Sequence, residues 1–341
     1  MLSEDSGKPV DLASQLGEGD FIVAAAASRR RNREPAGIAR SKRAEGTVDR
    51  LHLGDYSKIR AMLKHRWDIQ CLVYMVVVPA LTIYQWRAPH IIPWAYVLSL
   101  LFALGISCVN HNHAHYPFWR SSLLNRITDT WIGLLQGYPT FVVKPSHIGS
   151  HHRYNQGPED VTRLAQFGIH NNLYGYVAFP FIAAHQLGGL RKQVMEKLRA
   201  SDRTAYRLAL MNFAALAALY VVCLAIDWRK TLLFVFIPHA FGLHSFLASN
   251  YLQHAHAKVG SKYDHARNFV GWGMNSFLFN IGLHSAHHEW ESMHWSEVRK
   301  AHQRIVKDID PRLIERSIIL YFARVYIGGI FVPRWRSIPL N

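Results

Sequence analysis

Histidines at the spacing of metal ligands are the residues of this chain most able to do chemistry. They occur in three groups beside apolar segments, and residues three or four apart share one face of a helix. Because a buried imidazole is costly unless it is paired or bound to a metal, such grouping is unlike ordinary packing. Asn250 and His254, four residues apart, form a fourth element between the second and third groups. The predicted metal ligands are His111, His115, His147, His151, His152, His254, His284, His287 and His288.

The number of these histidines predicts a site with more than one metal ion. A closed zinc site takes about four ligands, so nine are too many for one such ion. Imidazole also suits copper, iron and nickel, and ligand type alone leaves the metal open. Asn250 is a further candidate ligand, either direct or bridged by water. We predict no organic cofactor site and no catalytic residue beyond the ligands. Four nearby carboxylates are candidates for orienting the histidines: Glu159, Asp160, Glu289 and Glu291.

Four apolar segments must position these groups. They span about residues 69–86, 91–110, 205–226 and 231–252, and each approaches the roughly 20 residues that cross a bilayer. Short turns join them in pairs. We therefore predict an all-α integral membrane protein with four transmembrane helices in two hairpins, and a cytoplasmic helical cap that holds the histidines.

The distribution of positive charge predicts the orientation. Of the 39 Lys and Arg residues, the two hairpin turns hold only Arg87, Arg229 and Lys230. Cytoplasmic loops carry the excess of such residues, so both termini and the histidine groups should be cytoplasmic, in a bacterial inner membrane. The net charge of +16 is then a topology signal, and we expect a lipid bilayer but no nucleic acid as a partner.

The remaining segments complete the predicted organisation. Residues 1–50 resemble a disordered basic tail, and residues 51–341 form the membrane domain. Amphipathic helices are expected over 51–68 and 317–332, and an interfacial helix within 120–143. The apolar segment Leu173–Leu187 contains Pro180, and we expect it to lie in the interface or re-enter, not cross.

These motifs resemble the histidine boxes of the membrane fatty-acid desaturase superfamily. Its pattern of HxxxH, HxxxHH and HxxHH boxes is matched by residues 111–115, 147–152 and 284–288, and its Asn/His element by 250–254. The resemblance covers about residues 67–310. It implies a four-helix membrane core with a cytoplasmic cap, and two iron ions that use O2 as co-substrate.

The resemblance leaves the reaction open. A fatty-acid desaturase is our first expectation, and a hydroxylase or a terminal-alkene-forming oxidative decarboxylase of a fatty acid or hydrocarbon is the alternative. The run His151–Asp160 resembles the second box of alkane hydroxylases, where Pro-Glu-Asp follows the paired histidines. A non-catalytic metal-binding or transport protein is the alternative of another class.

The partners follow from the same interpretation. The substrate would be a fatty acyl or hydrocarbon chain that runs near four aromatic residues. The three cysteines form no Cys-x-x-Cys pair, so electrons should come from a separate ferredoxin, rubredoxin or cytochrome b5. The aromatic residues predicted along the substrate path are Trp131, Tyr138, Phe241 and Phe246.

Overall fold

A computed structural model describes residues 61–167 and 170–340 of the chain. The residues before 61 include the predicted basic tail and most of the predicted 51–68 helix, which lie outside the described residues. The part that is described is mainly helical, as expected. The long helices are α1 (Ile69–Arg87), α2 (Pro93–His115), α3 (Ser122–Gln136), α4 (Leu173–Ser201), α5 (Arg203–Thr231) and α6 (Ile237–His254).

Shorter elements follow α6. Two of them pair as a parallel two-stranded sheet, with Asn268 opposite Ile314. These elements are β1 (Asn268–Phe269), α7 (Trp272–Phe277), α8 (His284–Glu289), α9 (Val298–Ile305), β2 (Ile314–Glu315), α10 (Ile318–Phe322) and α11 (Gly329–Phe331).

Local sequence explains where several helices begin. The Ser121 hydroxyl accepts a hydrogen bond from the Leu124 N–H at the start of α3, and the side-chain Oδ1 atom of Asn172 accepts from the Gly175 N–H at the start of α4. Such caps satisfy backbone donors that have no partner within the helix. Gly137, in the left-handed conformation at φ 81°, ends α3.

Among the described residues, three helical runs are long and apolar enough to cross a membrane: Arg66–Arg87, Pro93–His115 and Arg203–His254. The last is 52 residues long, and its helical geometry is broken at Asp227 (φ −160°, ψ 103°). The carboxylate of Asp227 accepts hydrogen bonds from the backbone N–H groups of Arg229 and Lys230, as a helix-capping residue does. The third and fourth predicted spans therefore lie on either side of this break.

The two predicted hairpin turns lie together. The ammonium group of Lys230 donates to the carbonyl oxygen of Trp86 at 2.6 Å, which ties the break in the third run to the end of α1. Helix α6 packs against both α2 and α4. Its contact with α2 requires glycine, because a Cβ atom at Gly242 would lie 2.6 Å from the carbonyl oxygen of Ala103.

The apolar segment Leu173–Leu187 and the charged residues after it form one continuous helix, α4. This helix is not among the three runs that could cross a membrane, and its Phe179 and Ala183 are buried beside Tyr251 of α6. The predicted interfacial helix is α3. The predicted C-terminal amphipathic helix is also present as the apolar run Ile318–Phe331, with Tyr321 buried and Phe331 exposed.

Candidate metal centre

All nine histidines predicted from spacing meet in one place, although they come from four separate elements. The end of α2 carries two of them, the end of α6 carries one, and α8 carries three. The remaining three lie on Lys144–His152, which is a π-helix instead of the expected α-helix.

The nine form two groups of potential metal ligands. Within each group the ligand atoms lie within 4.8 Å of one another. The five-histidine cluster is His111, His115, His147, His152 and His287. The four-histidine cluster is His151, His254, His284 and His288.

Each adjacent His-His pair is divided between the clusters. His152 and His287 belong to the five-histidine cluster, whereas their neighbours His151 and His288 belong to the four-histidine cluster. The i, i+3, i+4 spacing of His284, His287 and His288 therefore does not bring all three into one cluster. Residues 284 and 288 are one turn apart and meet at 3.1 Å between their Nε2 atoms, whereas position 287 faces the other cluster.

The π-helix explains the partition in the second group. A π-helix is bonded from residue i to i+5, so residues five apart come close together. The Nε2 atoms of His147 and His152 accordingly lie 3.0 Å apart. His147 and His151, which α-helical spacing would put side by side, belong to different clusters.

Contacts among the imidazoles of the five-histidine cluster fit a shared cation better than hydrogen bonds alone. The Nε2 atoms of His111, His287, His152 and His147 form a run with separations of 3.1, 2.9 and 3.0 Å. A neutral ring nitrogen either donates or accepts, so at most two of these three contacts can be ordinary hydrogen bonds. The buried Nε2 atom of His115 has no hydrogen-bond partner.

The separations match those expected around an ion. With metal–nitrogen bonds of about 2.1 Å at right angles, neighbouring ligand nitrogens would lie about 3.0 Å apart. The four-histidine cluster shows the same spacing, with 3.0 Å between the Nε2 atoms of His254 and His284. The residues therefore fit a bound metal in each cluster.

The protonation state also suits metal binding, because ligand histidines must be neutral. In five of the nine histidines, all outside the apolar helical runs, the pKa lies well below the ordinary value. Burial is the main cause, and the neighbouring imidazoles lower the pKa further. A ring held neutral keeps a lone pair for a cation. These five residues are His147, His152, His284, His287 and His288.

One carboxylate orients a cluster histidine. Asp160 is fully buried, and its Oδ2 atom accepts a hydrogen bond from Nδ1 of His151 at 2.8 Å and another from the Gln156 N–H. Its Oδ1 atom accepts from the backbone and the hydroxyl of Thr162. Burial alone would raise the pKa of the Asp160 carboxyl. His151 and these hydrogen bonds outweigh burial and lower the pKa below its ordinary value, so the carboxylate stays charged. This arrangement leaves Nε2 of His151 free to face the cluster.

The other predicted carboxylates are less involved. Glu291 lies 3.6 Å from Nδ1 of His152, whereas Glu289 pairs with Lys262 at 3.6 Å. For Glu159, the recorded contact is its backbone carbonyl, which accepts from Ser150. A partner that sequence spacing did not predict is a backbone group: Nδ1 of His254 donates to the carbonyl oxygen of residue 265 at 2.8 Å.

Asn250 lies beside the four-histidine cluster. Its side-chain nitrogen donates to the carbonyl oxygen of Thr162, and its buried side-chain oxygen has no hydrogen-bond partner. Asn250 lines the same cavity as four of the histidines, and its side-chain oxygen has the chemistry of a direct or water-bridged ligand.

Histidines outside the two clusters have other surroundings. The rings of His239 and Tyr220 are joined by a 2.8 Å hydrogen bond, and His294 binds the buried carboxylate of Asp68 at 2.9 Å. Nδ1 of His113 accepts from a backbone N–H, and its Nε2 lies 3.6 Å from Asp129, so it does not orient a cluster histidine.

A mainly apolar cavity of about 160 Å³ lies against both clusters. Histidines 111 and 147 border it from one cluster, and histidines 151 and 284 from the other. Of the predicted substrate-path residues, Tyr138 and Phe246 line the cavity. Trp131 instead donates its indole N–H to the Met75 carbonyl, and neither it nor Phe241 is part of the lining.

Comparison with known proteins agrees with the boxes. The family model described as fatty acid desaturase matches residues 67–317, well over half of the chain. The chain belongs to the fatty acid desaturase family. The resemblance predicted from the boxes is therefore confirmed, and membership in this family together with the apolar helical runs makes the chain an integral membrane protein.

Two relatives with sequence similarity to this chain are named alkane 1-monooxygenase. Alkane 1-monooxygenase of Pseudomonas putida is 23% identical over 227 residues, which are 63% of this chain and 55% of the relative. Alkane 1-monooxygenase of Ectopseudomonas oleovorans is 24% identical over 226 residues, with the same shares covered. The aligned region thus spans only about half the length of these relatives.

Proposed function

We propose that this protein is an O2-dependent membrane iron oxidoreductase that attacks unactivated C–H bonds of a fatty acyl or hydrocarbon chain. The observation that carries the proposal is the pair of histidine clusters beside one apolar cavity. Desaturation is our first candidate reaction. Hydroxylation is the second, and the two relatives named alkane 1-monooxygenase favour it.

We propose one iron ion in each cluster. When bound, iron supplies the redox chemistry that activates O2, which no side chain of the chain can supply. Ligands that are all neutral leave two such ions without charge compensation, so the charged Asp160 next to His151 matters for their binding.

The protein's own contribution is positioning and exclusion of water. Asp160 and the carbonyl oxygen of residue 265 hold the rings of His151 and His254 in one tautomer. Apolar side chains such as Val142, Leu243 and Phe246 line the cavity and fit a hydrocarbon chain better than water. Small displacements of the chain within this cavity would decide which carbon lies near the clusters.

We further propose four transmembrane spans within a membrane domain of residues 51–341. A 52-residue helical run would be about 78 Å long, more than twice the roughly 30 Å of the bilayer core. The break at Asp227 and the bond from Lys230 to Trp86 support two antiparallel spans in that run. With few positive charges at the hairpin turns, the histidine clusters and both termini would face the cytoplasm of a bacterial cell.

The electron donor is proposed to be a separate ferredoxin, rubredoxin or cytochrome b5 that binds the basic cytoplasmic face. The net charge of +16 supports this docking, because opposite charges steer association. Turnover with such a donor should then fall as ionic strength rises.

The test compares wild type with His287→Ala and His302→Ala in a heterologous host. Both histidines are buried, but His302 belongs to neither cluster and its ring nitrogens have no hydrogen-bond partner. Total lipids and volatile hydrocarbons are compared by mass spectrometry. We expect a product in wild type and His302→Ala that is missing in His287→Ala.

The mass of the product distinguishes the candidates. Loss of two hydrogens indicates a desaturase, gain of one oxygen a hydroxylase, and loss of one carbon a decarboxylase. Purified protein that binds no iron, or a product that persists in His287→Ala, would contradict the proposal.

A further inference from the structure

One face of α4 lines part of the cavity. Ala184, Leu187, Gly188 and Arg191 line it, at the spacing of residues that share a helix face. The recorded lining otherwise consists of apolar, uncharged polar and histidine side chains, so Arg191 is its one permanently charged residue. An exposed guanidinium therefore lies at the edge of an apolar space.

Arg191 has no carboxylate partner within the part of the chain that the structure describes. Its recorded contact is with the ring of Phe213, 5.8 Å from the guanidinium carbon. The ion pairs among the described residues involve other side chains. The five donors of this guanidinium are thus available to a ligand.

The space beside this arginine is open. A Cβ atom at Gly188 would meet no other atom within 4 Å, although the residue lines the cavity. A head group could lie there while its apolar chain extends toward the histidine clusters. An amphiphile has this shape and charge, whereas a hydrocarbon has nothing to pair with a guanidinium.

We propose that Arg191 binds the anionic head group of the substrate, and that it selects single-chain amphiphiles over neutral hydrocarbons. The head group is a carboxylate or a phosphate, because a guanidinium binds either through two parallel hydrogen bonds. This inference rests on the proposed function, since it assigns the substrate of the same cavity. It differs from what the name of the alkane 1-monooxygenase relatives describes for those proteins.

The test measures binding to the full-length protein in lipid nanodiscs. The probes are radiolabelled dodecanoate, dodecyl phosphate, dodecanol and dodecane, which share one chain length and differ in the head group. The variants are Arg191→Gln, Arg191→Lys and the control Lys192→Gln, which removes a charge from the next residue of α4, exposed and outside the cavity lining. Metal content and thermal midpoint verify that each variant is folded.

Wild type and Lys192→Gln should bind dodecanoate or dodecyl phosphate about fivefold more tightly than dodecanol, which corresponds to the upper end of about 1 kcal/mol for an exposed ion pair. Arg191→Gln should lose this preference, and Arg191→Lys should keep part of it. Whichever anion binds more tightly identifies the head group as carboxylate or phosphate. Equal wild-type affinity for charged and neutral probes, or an Arg191→Gln variant that keeps the preference, would overturn the inference.

Product analysis separates this inference from the proposed function. Oxidised product from dodecane and dodecanoate alike, unchanged in Arg191→Gln, would refute head-group selection and leave the reaction standing. Charge-dependent binding without any oxidised product would support the role of Arg191 and count against the proposed chemistry.

Discussion

The contact between Asp160 and His151 makes a quantitative prediction about metal binding. In the wild type, each carboxylate oxygen of Asp160 accepts two hydrogen bonds. In Asp160→Asn, one of these oxygens becomes an amide nitrogen, which donates and cannot accept. The least costly amide orientation faces Thr162, whose hydroxyl can rotate to accept. The backbone N–H of Thr162 then loses its acceptor.

The cost follows from these bonds. One lost hydrogen bond to a charged group lowers the free energy of unfolding by about 1.5–3 kcal/mol. Nδ1 of His151 keeps an oxygen acceptor but loses its negative partner, and such changes next to a ligand weaken metal binding about 10–100-fold, or about 1.4–2.8 kcal/mol. The substitution should therefore cause loss of metal at lower chelator concentration together with a lower thermal midpoint.

The assay is chelator titration of purified protein, with metal measured by mass spectrometry and unfolding followed in detergent. Glu159→Gln is the matched control, because it neutralises the adjacent carboxylate, whose recorded hydrogen bond is through its backbone carbonyl. If Asp160→Asn retained metal like Glu159→Gln, this assignment of Asp160 would be refuted.

Three further substitutions test other parts of the site. Gly188→Leu should lower turnover of long chains at least about tenfold, because the new side chain would fill the cavity. Gly189 also has open space around its Cβ position but is not part of the cavity lining, so Gly189→Leu should leave turnover unchanged. Product formation measures both variants. Asp68→Ala should lower the thermal midpoint, because it removes the buried oxygen that His294 contacts, at a cost of about 1–3 kcal/mol, and unchanged melting would contradict that role. Asn250→Ala should reduce metal affinity less than His287→Ala does in the same chelator titration, and an equal loss would mean a direct ligand.

The nine clustered histidines could be predicted from sequence because they recur three to five residues apart within short segments beside apolar runs, which is a local signal. The apolar helical runs and the break near Asp227 followed from a similarly local signal, the length of the apolar segments and the residues of the turns between them. Position 230 illustrates this, since the lysine that marked a turn in the sequence also bonds to Trp86 in the structure.

The division of the histidines into two clusters could not be predicted in the same way. Spacing of four residues suggests an α-helix, and nothing in Lys144–His152 signals i to i+5 bonding. The conformation of the loop after this π-helix could not be predicted from the sequence either. Gln156 has a φ of 68°, unusual for a residue with a side chain, and this turn directs its N–H to Asp160.

The alternation of His151 with His152, and of His287 with His288, has a thermodynamic consequence. Consecutive Cα atoms lie about 3.8 Å apart, so a cation that immobilises one member of a pair also restrains the other. The first ion to enter would thus bear most of the ordering entropy for both clusters, and the second would bind more tightly. Loading is expected to be cooperative, with empty and doubly occupied protein dominating over the singly occupied form at every metal concentration.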